Sequence, residues 1–243
     1  MKPHLRRQLP AAPHRPTIRL VLFDIDGTLL HTHRAGVRAF AKTFDSEFGL
    51  PDVTERIQFA GRTDVSLVRQ MFALAGRTPT DADFQRFFAH YVFWLDHLLG
   101  ESGGVICPGV QAFLQELQAL PTPPLRGLLT GNIRLGAEIK LRHFGLWEVF
   151  ELGAFADDAE DRDHIAAVAR DRGRQVLGAP LRGEEIVVIG DTPHDVRCGR
   201  AIGAKVLAVA TGGSPLAQLR EHQPDWLVED LRGLTAAEVC AQW

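Results

Sequence analysis

Leu20-Val21-Leu22-Phe23-Asp24-Ile25-Asp26-Gly27-Thr28-Leu29-Leu30 is the stretch from which the fold can be read. Its first four residues, Leu20 to Phe23, form an apolar run suited to a strand buried on both faces of a parallel sheet, and the run stops at Asp24. Open α/β sheets place their ligands at such strand ends. Asp24 and Asp26, on either side of Ile25, face one crevice there if the backbone is still extended. Gly27 permits a sharp turn and a close approach of ligand to backbone N–H groups, and Thr28 adds a hydroxyl to the same loop.

Outward from that stretch, 243 residues with 45% hydrophobic and 23% charged composition suit one large domain or a domain with an insert. Apolar stretches fall well short of the ~20 residues a bilayer span needs, and no N-terminal segment reads as a secretory signal, so a cytoplasmic protein without membrane partners is expected. Cys107, Cys198 and Cys240 are far apart and odd in number, which argues for packing and against a disulfide framework or zinc site. The formal net charge is −3, but Met1 to Pro16 holds four basic residues and no acid, leaving 23 basic against 30 acidic residues from Thr17 onward. That balance speaks against nucleic acid as a partner. Pro3, Pro10, Pro13 and Pro16 break any regular element in residues 1–16, which are expected to be a disordered basic leader.

Along the chain, Val37, Phe40, Ala41, Phe44 and Phe48 recur at helical spacing before Gly49. A second helix is predicted from an N-cap at Thr63, and a third, capped by Asp81, from the stripe of Phe84, Phe87, Phe88, Tyr91, Val92, Leu95, Leu98 and Leu99 that ends at Gly100. No segment from 32 to 105 reads as a strand. After it, strands are predicted over Leu125–Leu129, Val149–Phe155, Glu185–Ile189, Val206–Val209 and Trp226–Val228, alternating with helices. The expectation is an α/β protein: a doubly wound parallel sheet built from 17–31 and 106–243, with an inserted all-helical cap at 32–105.

Successive strands end in polar groups suited to phosphate or metal chemistry: Asp24 and Asp26, then Thr130-Gly131-Asn132, then Asp191 with Asp195. Asp24-Ile-Asp-Gly-Thr-Leu29, Leu128-Leu-Thr-Gly-Asn132 and Gly190-Asp-Thr-Pro-His-Asp195 resemble, in order, the first, second and fourth motifs of the haloacid dehalogenase superfamily. Its phosphoglycolate-phosphatase-like branch is the most similar. The resemblance implies a Rossmann-type core and hydrolysis of a small-molecule phosphomonoester through an aspartyl-phosphate. It makes Asp24 the nucleophile and Asp26 the acid and base, with Mg²⁺ held by Asp24, the Asp26 carbonyl and Asp191. Asp195 would orient the metal's water or the basic residue, and Gly27, Thr28, Thr130, Gly131 and Asn132 would surround the phosphoryl oxygens. Dehalogenases and phosphonate-cleaving members of the superfamily lack an acid at the Asp26 position, so phosphoester chemistry is favoured. A sugar-phosphate mutase keeps it too, and a non-catalytic regulatory module on the same fold is a more distant alternative. Monomer and homodimer are both compatible.

The third motif departs from the pattern, which most often has Lys. Arg162, at a helix start after a strand, stands in its place and can serve phosphate with a planar fork. Lys140 is the other candidate, although its mid-helix position suggests a surface role. The acids around Arg162 (Asp157, Asp158, Glu160 and Asp161) read as a solvated helix start. In the predicted cap, Arg62 in Gly61-Arg-Thr-Asp64 sits by a helix N-terminus and is a candidate contact for an anionic part of the substrate.

Overall fold

The computed structural model describes residues 17–240, so the expectation for the first sixteen residues lies outside the described part. The elements run β1 (Leu20–Phe23), β2 (Leu30–His31), α1 (Ala35–Phe48), α2 (Asp64–Leu74), α3 (Asp81–Ser102), β3 (Val105–Ile106), α4 (Val110–Ala119), β4 (Leu125–Leu129) and α5 (Arg134–His143). They continue with β5 (Leu152–Ala154), α6 (Arg162–Leu177), β6 (Ile186–Gly190), α7 (Pro193–Ala201), β7 (Lys205–Val209), α8 (Leu216–Glu221), β8 (Trp226–Val228) and α9 (Ala236–Cys240). Six strands form one parallel sheet in the order β5-β4-β1-β6-β7-β8.

β1 lies at the centre because all four of its side chains are buried, and they divide between the two faces. Leu20 and Leu22 pack with Ile165, Ala169 and Ile202 on one side, whereas Val21 and Phe23 pack with Phe113, Leu117 and Val239 on the other. Phe23 is in register with Leu128 of β4 and Ile189 of β6. Because β4 and β6 flank β1 on opposite sides, the chain order reverses around β1. The crevice beyond its C-terminal end is where a doubly wound sheet opens for ligands.

β2 and β3 pair antiparallel, Leu30 with Ile106 and His31 with Val105, and thereby bring together the two ends of the helical segment between them. Neither two-residue strand was signalled by periodicity, which needs longer runs to show. Helices α1 to α3 build a core of their own around Phe40, Phe44, Phe72, Phe87 and Tyr91. Full burial of each such side chain contributes roughly 1.5–3 kcal/mol. Gly49, at φ 63°, closes α1 in the left-handed region, and the Thr63 hydroxyl caps α2 by accepting from the Ser66 N–H.

Three expected boundaries are corrected. The cap of α3 is Thr80, not Asp81, because Thr80 exchanges bonds with Asp83 in a capping box. The same helix runs through Gly100 and ends at Gly103, whose φ 60°, ψ −143° suits glycine alone. The strand expected from Val149 begins only at Leu152, since Trp147–Val149 forms a 3₁₀ turn.

Candidate active site

The first loop is drawn tight by its own backbone: the N–H groups of Thr28, Leu29 and Leu30 all donate to the Ile25 carbonyl, and Gly27 adopts φ 84°. Asp24 and Asp26 leave it with different exposure, Asp24 buried and the Asp26 side chain partly open. Asp24, 5% exposed, stays in the crevice beside β6, anchored by its N–H to the Ile189 carbonyl at 3.0 Å. Asp191 leaves the end of β6 and accepts from the Thr28 hydroxyl at 3.0 Å and the Gly213 N–H at 3.2 Å. Thr28, expected among the phosphate contacts, therefore spends its buried hydroxyl on Asp191 and does not line the cavity.

Asp195 on α7 is fully buried; its Oδ2 accepts from the Thr192 N–H (3.0 Å) and hydroxyl (2.7 Å), and its Oδ1 accepts from Arg162 Nη2. Arg162 Nη2 also lies 3.7 Å from Asp24 Oδ1. Asp161 caps α6 by accepting from the Asp163 N–H, which sets Arg162 at the first helical position with its side chain directed under the sheet ends. Arg162 does not pair with its sequence neighbours. Asp158 binds Arg172, Glu160 binds Arg69, and Asp157 accepts from the Arg134 N–H.

Asp24, Asp191 and Asp195 each offer a carboxylate oxygen within 4.8 Å of one another. Burial pushes the Asp24 carboxyl up to about 7, against the pull of Arg162 and helped by Asp195 and Asp26. Burial and the charges of Asp195 and Asp24 likewise hold Asp191 well above the usual carboxylate range. One guanidinium among three enclosed acids leaves negative charge that a cation would compensate. The oxygen-only donor set suits a hard divalent ion. Glycine makes the cradle: an ideal Cβ on Gly27 would stand 2.6 Å from Asp191 Oδ2, and one on Gly212 would overlap the same oxygen.

On the other side of Asp24, the Thr130 hydroxyl at the end of β4 accepts from the Asn132 amide Nδ2 at 2.8 Å, which also donates to Asp26 Oδ2 at 2.8 Å. Lys140 corrects an expectation. It is 4% exposed, not on the surface, and its ammonium donates to Asp26 Oδ2 and Asn132 Oδ1, both at 2.6 Å. Both candidates for the third motif thus reach the crevice, Arg162 from beneath Asp24 and Lys140 beside Asp26. The signal for Lys140 was its place in the stripe Gly136, Ala137, Lys140, Leu141, the buried face of α5.

The helical segment adds a buried acid that no sequence motif marks. Asp64, the first residue of α2, donates its N–H to the Gly131 carbonyl at 2.7 Å and accepts from the Ile133 N–H at 2.8 Å, locking the helical unit to the loop after β4. Burial pushes its carboxyl up to about 7 against the pull of Lys140. The preceding loop is seated closely, with a Cβ on Gly61 standing 2.5 Å from His194 Cδ2. Arg62 is exposed, bonds Gln70, and borders the cavity. That cavity measures about 400 Å³, with Asp24, Asp26, Arg162 and Asp191 at one end and Phe40, Phe59, Leu67 and Tyr91 among its apolar lining.

The chain is similar in sequence and in fold to several known proteins. A family model described as haloacid dehalogenase-like hydrolase matches residues 21–209. The chain is 28% identical over 225 residues to the pyrophosphatase PpaX of Bacillus pumilus, covering 90% of this chain and 96% of that protein. It is 29% identical over 214 residues to a phosphoglycolate phosphatase of Cereibacter sphaeroides, covering 83% and 90%. Among solved structures, CbbY from Rhodobacter sphaeroides in complex with phosphate shares the fold, with a TM-score of 0.68 at 18% identity over 88% of this chain and 95% of that one. A hydrolase from Pseudomonas syringae does so with a TM-score of 0.68 at 22% identity over 88% and 94%.

Proposed function

The chain belongs to the haloacid dehalogenase-like hydrolase family and is a phosphatase within it, and we propose that it hydrolyses a small organic phosphomonoester through a phosphoryl group carried on Asp24. One observation carries the reading. Two aspartates two residues apart have been given different surroundings: Asp24 sits enclosed with Arg162, Asp191 and Asp195, while the Asp26 side chain, 44% exposed, faces the cavity. A nucleophile and a proton carrier need that division.

Asp24 attacks phosphorus as the ester P–O bond breaks, and Asp26 gives its proton to the leaving oxygen. Asp26 then takes a proton from water as that water attacks phosphorus and the Asp24–phosphoryl bond breaks. The Arg162 guanidinium, anchored on Asp195, steadies the Asp24 carboxylate before attack and meets the negative charge that returns to it when the Asp24–phosphoryl bond breaks, and the Thr130 hydroxyl with the neighbouring backbone N–H groups of Gly131 and Asn132 steadies the phosphoryl oxygens. With both Asp195 oxygens already bonded, Asp24, Asp191 and the Asp26 carbonyl are the groups that would hold Mg²⁺. The ion supplies charge to offset repulsion between a carboxylate and a phosphate dianion. The helical unit, with Arg62 at the cavity edge, covers the part of the substrate that is not phosphate.

Relatives named for pyrophosphate and for phosphoglycolate frame the substrate question. The apolar lining of Phe40, Phe59 and Leu67 favours an organic leaving group over bare pyrophosphate. The test is a panel of small phosphomonoesters, with pyrophosphate and a hexose 1-phosphate included, assayed with Mg²⁺ and with chelator. Release of inorganic phosphate that needs the metal and vanishes in Asp24→Asn is expected. Full turnover in chelator refutes the metal assignment, isomer in place of phosphate makes the enzyme a mutase, and an unreactive panel leaves the reading to a regulatory module.

A further inference from the structure

Phosphoryl transfer from ester to Asp24 to water does not employ Lys140, a lysine whose side chain is 5% exposed in the middle of a helix. Enclosing an ammonium is unfavourable unless its donors are met, and an apolar residue beside Ala137 and Leu141 would carry no such penalty. Two of its N–H donors are spent within the crevice, on Asp26 Oδ2 and Asn132 Oδ1. The third corner of the triangle is the bond from Asn132 Nδ2 to the same Asp26 Oδ2. The head of the lysine is covered by the helical unit: an ideal Cβ on Gly36 of α1 would stand 3.7 Å from Nζ and 3.9 Å from the Tyr91 hydroxyl of α3.

We propose that Lys140 is the positioning residue of Asp26. With Asn132 it occupies Oδ2 from one side, so that Oδ1 alone is free to carry the proton and turns it toward the cavity. A proton on Oδ2 would have to displace a cation and an amide donor. A proton on Oδ1 displaces nothing, since Oδ1 has no bond to any described residue. The clamp fixes which oxygen delivers the proton to the leaving group and which takes it back from water, and Asn132 extends it to Thr130. The helical unit completes the enclosure of Lys140, so its seating on the sheet and the aim of Asp26 are coupled. This inference rests on Asp26 acting as the acid and base.

The test compares Lys140→Met, Asp26→Asn and the double variant on the best alkyl phosphomonoester of the panel and on p-nitrophenyl phosphate. General acid catalysis is typically worth about 10²- to 10⁴-fold, and a misaimed acid should forfeit part of it. Lys140→Met should therefore lower kcat on the alkyl ester by about 10²-fold with KM nearly unchanged, while p-nitrophenolate, which hardly needs the proton, loses about fivefold or less. In the Asp26→Asn background the same change should add almost nothing. Equal losses on both substrates, or an undiminished loss in the Asp26→Asn background, would overturn the proposal and make Lys140 a phosphate-binding or purely structural group. Should the methionine variant fail to fold, Lys140→Gln keeps a donor for Asp26 without the charge and should show the same selective loss, smaller in size. A crystal structure of the folded variant gives an arm that needs no turnover: the Asp26 carboxylate should leave Asn132 or split between conformers, and an unmoved carboxylate refutes the clamp. If wild-type protein turns over nothing in the panel, the reading of function fails while this arm still decides the role of Lys140.

Discussion

Replacing Arg162 by methionine should damage stability and turnover together, and the size of both effects follows from the surroundings of the guanidinium. The side chains of Arg162, Asp24 and Asp195 are 4%, 8% and 1% exposed, so water cannot take over the role of the lost cation. Burial is the largest single influence and opposes the charge on Arg162, yet Asp195 and Asp24 together hold its pKa above the ordinary arginine value. Removing one partner of a buried ion pair costs about 3–5 kcal/mol. For a chain of this size each kcal/mol shifts the melting temperature by roughly 2–4 °C, so a fall of about 6–20 °C is expected. Burial raises the Asp24 carboxyl to about 7 even against the pull of Arg162, which favours its ionised form. Its contribution therefore counts while Asp24 is ionised, and the gap between variant and wild type should be wider at pH 8 than at pH 5.5. Turnover should fall by about 10²- to 10³-fold, the usual effect of removing one preorganised charge donor. Arg197 serves as comparison: it pairs with Asp163 at 3.1 Å, but the two side chains are 53% and 36% exposed. Such a pair is worth about 0–1 kcal/mol, so Arg197→Met should melt near wild type. The measurements are thermal melts at the two pH values and kcat on the best substrate of the panel. An Arg162→Met protein that melts no lower than Arg197→Met, or that keeps wild-type kcat, would refute the reasoning.

Gly212→Ala should raise the Mg²⁺ concentration for half-maximal activity by about tenfold or more, because the added Cβ overlaps Asp191 Oδ2; in Gly233→Ala, where the Cβ meets Val228 at 3.6 Å, it should not move. Metal titrations that coincide for the two variants would contradict the cradle. Asp64→Asn should change the pH dependence of stability: a carboxyl raised from 3.8 to about 7 contributes its full stability below about pH 4 and loses it as pH rises through 7, a swing of up to about 4 kcal/mol. Asparagine can still accept from the Ile133 N–H but does not titrate, so its urea midpoint should fall less than wild type between pH 5 and pH 8, and parallel profiles would refute this.

The sheet was legible because three of its inner strands carry an apolar run that gives way at once to a polar residue. Leu20–Phe23 stops at Asp24, the run ending at Leu129 stops at Thr130, and Ile186–Gly190 stops at Asp191, so strand positions and site chemistry came from the same letters. Helices with long aromatic stripes were equally plain, as α1 and α3 show. What failed at boundaries was local competition: Thr80 outbids Asp81 as a cap because only Thr80 has Asp83 three residues ahead to complete the box. The β2–β3 ribbon, two residues on each strand, carries no period at all.

Lys140 and Asp64 were hidden for a different reason. Each is a charged residue on a helix, where solvent is the ordinary surrounding, and each is buried by contacts far away in sequence. Lys140 meets Asp26 across 114 positions, and Asp64 meets Ile133 across 69. The periodicity of α5 did place Lys140 on the same stripe as Ala137 and Leu141, but a stripe says only that a face is covered, not by what. Once β1 is seen to lie between β4 and β6, the loop after β4 stands next to Asp26, and the helix that follows it carries Lys140 back over the crevice. The helical unit then closes on that helix through Tyr91 and on that loop through Asp64. Both hidden residues therefore belong to the seam between sheet and helices, where strand-by-strand reading has no purchase and where the aim of Asp26 is set.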